Sequence, residues 1–365
     1  AFSQLSIAVA QSLLFIAVTC WLATIVTRRE RIEVPAFFYP LAAYAGWTLL
    51  SAVMSDDPRA SLADCKQLVL FLIVPVAYRL LQAGRGATLL TVVMSVGAAT
   101  AAYGIFQYGL LHYDELSRRP QGTLGHYMTY SGMLMLVIGV ALARLLFEGR
   151  ERTWPALVMP ALMLGVALTS TRMAWVGVCA AAALLLLIKD FRLLAVLPIV
   201  GAITIAAAGP SITHRFMSMF DTKDPTRRDR VAMLIEGQHM VRDHPFFGVG
   251  PNRVQAVYGR YRVPEAVEQV NPHLHNVPMQ IAAERGLPAL VLWLAFVGVL
   301  THGLWRHLRR MRPRTLPAAA LAAVAGMLAA GLFEYNFGDS EFLMLFLLLV
   351  TLPFAAARAD ADGPA

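Results

Sequence analysis

The sequence predicts an all-α fold: a polytopic transmembrane helical bundle with one long, partly helical segment outside the membrane. Three observations carry that prediction. The 365-residue chain is 58% hydrophobic and 15% charged, where a soluble domain carries about 25% charged residues. Its apolar stretches are Leu/Ala/Val-rich runs of the ~17–25 residues a helix needs to cross a bilayer. They lack the alternation of a barrel strand, and only helices and closed barrels satisfy their backbone in lipid. Finally, the polar residues are gathered: one long basic segment, Ser211 to Asn276, carries five histidines.

Eleven spans can be read, near 5–27, 36–54, 67–82, 87–110, 127–147, 154–171, 173–188, 193–210, 278–305, 316–336 and 341–357. Residues 154–188 are too long for one untilted helix at ~1.5 Å per residue, so Ser170-Thr171-Arg172 is read as breaking them into a tight hairpin of two short helices. The chain then divides into transmembrane helices over 1–210, a long loop with amphipathic helices over 211–276, transmembrane helices over 277–357 and a tail over 358–365.

Arg and Lys set the orientation. Arg28, Arg29 and Arg31 follow the first span, Arg150 and Arg152 the fifth, Lys189 and Arg192 the seventh, and Arg306, Arg309, Arg310, Arg312 and Arg314 the ninth. With alternating spans these share one side, read as cytoplasmic. The loops 55–66 and 111–126, the Arg172 hairpin, the segment 211–276 and Gly338-Asp339-Ser340 fall on the other. An odd span count leaves the N-terminus outside; one more helix upstream of Ala1 would give twelve spans and both ends inside. The formal charge of +8 thus lies largely in short loops, and with no RNA- or DNA-binding motif no nucleic-acid partner is expected. Cys20, Cys65 and Cys179 form no disulfide framework or CxxC pair.

Within the long segment, Asp224-Pro225-Thr226 suits a helix start and His244-Pro245 a stop. Between them, Arg227 to Val241 reads as an amphipathic helix with an imperfect apolar stripe of Val231, Leu234, Ile235, Gln238 and Met240. A glycine-bearing loop, Phe246 to Asn252, leads to a second short helix over Val254 to Tyr261, with Arg253, Arg260 and Arg262 around it. A peripheral helix lying on the membrane accounts for several of these residues, but not for the histidines beside the next span.

The candidates for chemistry lie on that same side. His275, at the head of a membrane helix, has the side chain suited to general-base work near neutral pH; the alternative is a histidine that caps the helix. His273 and His275 form an H-x-H pair, but zinc takes three or four ligands, and His214, His239 and His244 offer no i, i+4 spacing, so no metal is expected. Arg172, at the hairpin tip, costs ~2.5 kcal/mol or more if buried in lipid. It either snorkels to the interface or clamps a phosphate bidentately. Arg230 could point to the same place, with Arg227 and Arg228 competing for the role. Asp339, with Glu334, Asn336 and Glu341 nearby, is either a polar turn or a carboxylate that orients a histidine or arginine. The sequence holds no G-x-S-x-G elbow, Walker A, external D-x-D or glycosidase carboxylate pair.

Together these strings are familiar. Arg230, His244-Pro245-Phe246-Phe247-Gly248-Val249-Gly250, His275-Asn276 and Glu284-Arg285-Gly286 resemble the signature of the O-antigen ligase and polymerase superfamily: an arginine, an amphipathic helix, P-x-x-G-x-G, then H-N-x7-E-x-G. Thr169-Ser170-Thr171-Arg172-Met173-Ala174-Trp175 is similar to its Thr/Ser-rich arginine motif, and Glu334-Tyr335-Asn336-Phe337-Gly338-Asp339-Ser340 to its late acidic motif. The resemblance implies a GT-C-like, multi-pass glycosyltransferase of the bacterial inner membrane with its active site facing the periplasm. The ligase branch moves O-antigen from undecaprenyl diphosphate to lipid A–core in lipopolysaccharide biosynthesis. The polymerase branch joins repeat units. A third branch glycosylates protein serines and usually carries a sizeable extra C-terminal region, whereas the tail after Ala357 is short.

The ligase branch is the expected one. By the same resemblance His275 is the base, Arg172 and Arg230 hold the diphosphate, and His273, Asn276 and Arg228 are further substrate contacts. Glu284 and Asp339 support them, and neither metal nor cofactor is needed. The implied partners are the lipid-linked O-antigen, lipid A–core and membrane lipids. A lipid-linked glycan transporter is the non-enzymatic alternative, but transporters place ionisable groups near the midplane, and here they gather at one face.

Overall fold

The computed structural model describes residues 2–29, 31–81, 84–115, 117–149, 151–207 and 224–361. Among these the architecture is all-helical: α1 (Ile7–Arg28), α2 (Phe38–Val53), α3 (Pro58–Asp64), α4 (Ile73–Leu80), α5 (Arg85–Leu110), α6 (Tyr127–Phe147), α7 (Thr153–Leu168), α8 (Arg172–Lys189), α9 (Val196–Ala207), α10 (Pro225–Asp243), α11 (Val254–Tyr261), α12 (Val277–Arg310), α13 (Thr315–Gly331) and α14 (Ser340–Ala361). Arg150, His214 and the first part of the long segment, 211–223, lie outside the described residues.

Each of the eleven apolar runs contains a helix. Seven helical units are long and apolar enough to cross a membrane: α1, the continuous run Pro58–Leu80, α5, α6, α8, α12 and α14. The other four, α2, α7, α9 and α13, are shorter. The third unit begins nine residues ahead of the expected 67, because Asp57 accepts a hydrogen bond from the Ala60 N–H and Pro58 occupies the first helical position; both features favour a helix start there.

α6 lies at the centre, buried on nearly every side, with α13 packed against it and against α8, and α14 against α13 and α4. α13 is rich in buried alanines (Ala318, Ala319, Ala320, Ala322, Ala323), and small side chains let helix backbones approach closely where lipid offers no hydrophobic drive to associate. The expected break between α7 and α8 is present, with Ser170 at φ 52°, but it lies at Thr169–Thr171, and Arg172, read as part of it, is the first residue of α8.

The boundaries read for the two external helices hold: α10 begins just after Asp224, whose carboxylate caps the Arg227 N–H, and α11 spans Val254–Tyr261. The predicted stripe on α10 holds fully only at Met240. Val231 and Gln238 are exposed, and the buried face is Asp229, Ala232, Met233, Glu236, Gly237 and Met240. Two carboxylates belong to that face because they accept backbone N–H groups of the following loop: Asp229 from Val267 and Glu268, Glu236 from Val263. Asn271 donates to Asp229 and to the Tyr258 hydroxyl. Burying a carboxylate is tolerable when it is hydrogen-bonded in this way. With Met233, Met240, Val254, Tyr258 and Leu274 these groups form a small second core. α10 docks on α12 and is an integral part of the fold.

The loops expected to share one side do meet at one end of the bundle. Arg253 pairs with Asp57 at 3.4 Å, Ser61 donates to the Pro251 carbonyl at 3.1 Å, Gln67 bonds the Gly338 carbonyl, and Thr129 bonds Asp339.

Candidate active site

His275 sits in the turn that enters α12, at a φ of 47°. A non-glycine residue in the left-handed region costs about 1–3 kcal/mol and persists where its surroundings fix it. Here they do: Gln280 accepts from the Leu274 N–H at 2.6 Å, and Asn276 caps α12 by accepting from the Met279 N–H at 2.9 Å while donating to the Leu332 carbonyl at 3.0 Å. Asn276, and not His275, is therefore the helix cap. Both polar atoms of its side chain are spent on holding the turn.

The His275 Nδ1 lies 2.8 Å from Glu334, in the turn after α13. Glu334 is buried, yet the hydrogen bond and charge of His275 outweigh that burial and hold its carboxyl down to about 2. An ionised carboxylate can only accept, so in the neutral imidazole the Nδ1 carries the proton and Nε2 is the nitrogen free to accept one. His273 lies edge-on to His275, with ring centroids 4.2 Å apart, and its Nε2 is 3.6 Å from Glu334. Burial lowers the His273 pKa to about 4. His273, His275 and Glu334 bring three potential ligand atoms within 4.8 Å of one another. A count of histidines alone missed that third donor.

Arg172 opens α8, and its guanidinium donates to Asp224 at 2.6 Å. Burial raises the Asp224 pKa, but the Arg172 hydrogen bond and charge outweigh it and the net direction is down. Arg230, one turn into α10, is half-buried, and burial lowers its pKa, a setting that an anion would relieve.

These residues converge. A cavity of about 270 Å³ is lined by Arg172, Arg227, Arg230, His275 and Asn276, with apolar walls that include Val231, Leu234 and Phe333. A second cavity, of about 140 Å³, adjoins it through Arg172, Met173 and Arg230 and adds Arg119, Tyr127 and Thr226. Of the three competing arginines, Arg227 and Arg230 face the larger cavity. Arg228 is exposed and lines neither, since residues three apart share a helix face and their neighbours turn away.

Glu284 and Asp339 are placed differently. The Glu284 carboxylate meets the Arg285 guanidinium at 2.6 Å, and Arg285 also reaches the Tyr335 hydroxyl at 3.2 Å. α12 is interrupted beside them at Gly286, whose φ is 80° and where a Cβ would stand 2.0 Å from the Phe246 carbonyl oxygen. The loop of the P-x-x-G-x-G string takes over the lost helical bonds: Val249 N–H donates to Ala283, Gly250 N–H to Glu284, and Leu287 N–H to Pro245. Buried backbone groups must find partners, and this is how both glycine-bearing strings are used. Asp339 caps α14 through the Phe342 N–H. The carboxylate that orients a histidine is Glu334, which opens the late acidic string and was read in the sequence as a neighbour of Asp339. Arg119 carried no motif and was not singled out.

A family model described as O-antigen ligase matches residues 156–294, the stretch that holds Arg172, Arg230, His275 and the interrupted start of α12. No curated protein matches the chain. Members of that family are membrane enzymes of glycosyltransferase type, ligases and polymerases. The stretch that carries the site is thus similar to the O-antigen ligase family.

Proposed function

We propose that this protein is an O-antigen ligase that transfers O-antigen from undecaprenyl diphosphate to lipid A–core, at the periplasmic face of the bacterial inner membrane. The observation that supports it best is that His275, Arg172 and Arg230, from three distant segments, line one cavity. The Nε2 of His275, with Glu334 holding Nδ1, takes the proton of the acceptor hydroxyl. That oxygen attacks the anomeric carbon of the donor sugar as its bond to the diphosphate oxygen breaks. The electron pair and the charge leave on the lipid diphosphate. Arg172 and Arg230, with Arg227 beside them, bind that developing charge, the electrostatic contribution on which such a reaction depends most. A lipid diphosphate is already a good leaving group, so the reaction calls for neither a strong general acid nor a metal. One base without a nucleophilic carboxylate gives a single displacement with inversion. His273 and Asn276 serve by shaping the turn around His275, Glu284 by fixing the start of α12, and Asp339 by capping α14.

Electrophoresis of lipopolysaccharide from a strain lacking the gene tests the reading. The expected pattern is bare core, with glycan stranded on its carrier lipid. Core bearing a single repeat would instead assign the protein to the polymerase branch.

A further inference from the structure

His273 lines neither cavity, and its ring makes no hydrogen bond among the described residues. Its Nδ1 is buried without a partner. Its Nε2 stands 3.6 Å from Glu334 Oε1, too far for a hydrogen bond. A buried polar atom left in this way needs an explanation, and an ion is among the few that serve. Beside it, His275 turns Nδ1 towards the other Glu334 oxygen at 2.8 Å, and the three residues bring their donor atoms within 4.8 Å of one another. The ligands of a tetrahedral zinc ion, bonded at ~2.0–2.1 Å, stand about 3.3 Å apart, a value these spacings bracket.

The chemistry of the donor set agrees. Two imidazoles and a carboxylate with a fourth position open make a three-ligand zinc site, and imidazole nitrogen favours zinc over hard cations such as magnesium and calcium. The ligands are braced from behind, as metal ligands are. Glu334 Oε1 accepts from the Tyr335 N–H at 3.0 Å, and the turn that carries both histidines is held by Gln280 and Asn276. The donors are also within reach from outside, since the His273 side chain is 29% exposed and that of His275 17%. Arg230 lies within range of the Glu334 charge and works against a second cation there, which favours an ion that comes and goes over one held permanently.

We infer that His273 Nε2, His275 Nδ1 and Glu334 form a zinc site whose occupation switches transfer off. The switch rests on the role proposed above for His275. There, Glu334 keeps the proton on Nδ1 and leaves the Nε2 lone pair to take the proton of the acceptor hydroxyl. Zinc bonds through the Nδ1 lone pair. The Nδ1–H bond breaks, the proton passes to Nε2, and the imidazole stays neutral. Nε2 is then an N–H donor with nothing left to accept a proton. Transfer would thereby follow the free zinc of the compartment that the site faces.

The test uses the full chain without a histidine tag, in nanodiscs, with ZnCl₂ as the calorimetric probe and transfer measured separately. The wild type should bind Zn²⁺ stoichiometrically. Saturating Zn²⁺ should lower transfer by about 10²–10⁴-fold, the loss expected when a general base is removed, and a chelator should restore it. Mg²⁺ and Ca²⁺, which take oxygen ligands, should do neither. His273→Ala and Glu334→Gln should each weaken Zn²⁺ binding by at least about tenfold and move inhibition to higher Zn²⁺, each judged against its own zinc-free rate. The two changes lie on different segments, so either one carries the test if the other does not fold. A wild type that binds no Zn²⁺, or binding and inhibition that persist unchanged in a folded variant, overturns the site; if His275→Ala still abolishes transfer, the reading of the reaction stands without it. Zn²⁺ that binds, is lost in the variants and yet leaves wild-type transfer intact overturns the switch, and with it the role of His275 as base.

Discussion

His275 and Glu284 flank the first turns of α12, yet they meet different surroundings. Around His275 the space is open, and charged groups from α8, α10 and the turn after α13 converge on it. Around Glu284 the space is closed: the carboxylate is fully engaged with Arg285, its backbone carbonyl accepts from Gly250 and from Ser51, and Trp47 donates to the Arg285 carbonyl. Both residues come from one signature string, H-N-x7-E-x-G. The contrast teaches that such a string mixes groups that act on substrate with groups that hold the backbone in place. An open cavity beside the side chain separates the two kinds.

That separation can be broken by measurement. The largest effect is expected for His275→Ala: a 10²–10⁴-fold loss of transfer, the usual contribution of a general base, in a protein that still folds. Near-normal transfer by the purified variant would remove His275 from the mechanism. Arg285→Met should do the reverse. It leaves Glu284 buried without its partner, which costs about 3–5 kcal/mol of stability, while the fraction that still folds turns over normally. A wild-type melting curve with lost turnover would erase the distinction between the two regions. Arg172→Lys comes next, with a drop of about tenfold or more, because a point charge replaces a fork poorly. Full activity would mark Arg172 as an interfacial arginine.

The smallest effect concerns acid. The folded protein resists protonation of His273 until about pH 4 against an ordinary 6.5, and of Glu334 until about pH 2 against 4.5. In both windows the unfolded chain binds more protons, so stability falls as pH falls. The melting temperature should drop by roughly a few degrees between pH 6.5 and 4 and continue downward below 4.5. His273→Ala should flatten the upper part of that curve, and an unaltered slope would assign it to other groups.

The helical fold was legible because apolar runs of bilayer length admit few other structures, and the ends of α10 because Asp224-Pro225 and His244-Pro245 are local chemical signals. The buried face of α10 was not legible. A search for apolar periodicity cannot find a face whose key members, Asp229 and Glu236, are buried in order to bind backbone N–H groups. Glu334 was hidden for a similar reason: its partner is 59 residues away in sequence. The cavity-facing arginines were narrowed to Arg227 and Arg230 only by the rotational phase of α10, which no string of letters fixes to within one residue.

The break at Gly286 has a mechanical consequence. Helices in bilayers tilt to match the local hydrocarbon thickness, and in an unbroken rod that tilt would swing whatever is mounted on its tip. In α12 the backbone turns at a single residue, and both sides of that break are tied to the loop of Pro245 to Gly250, Ala283 and Glu284 before it and Leu287 after it. The imidazole's position is therefore set by the docked loop at the break, while the helix beyond Leu287 is left to follow the tilt.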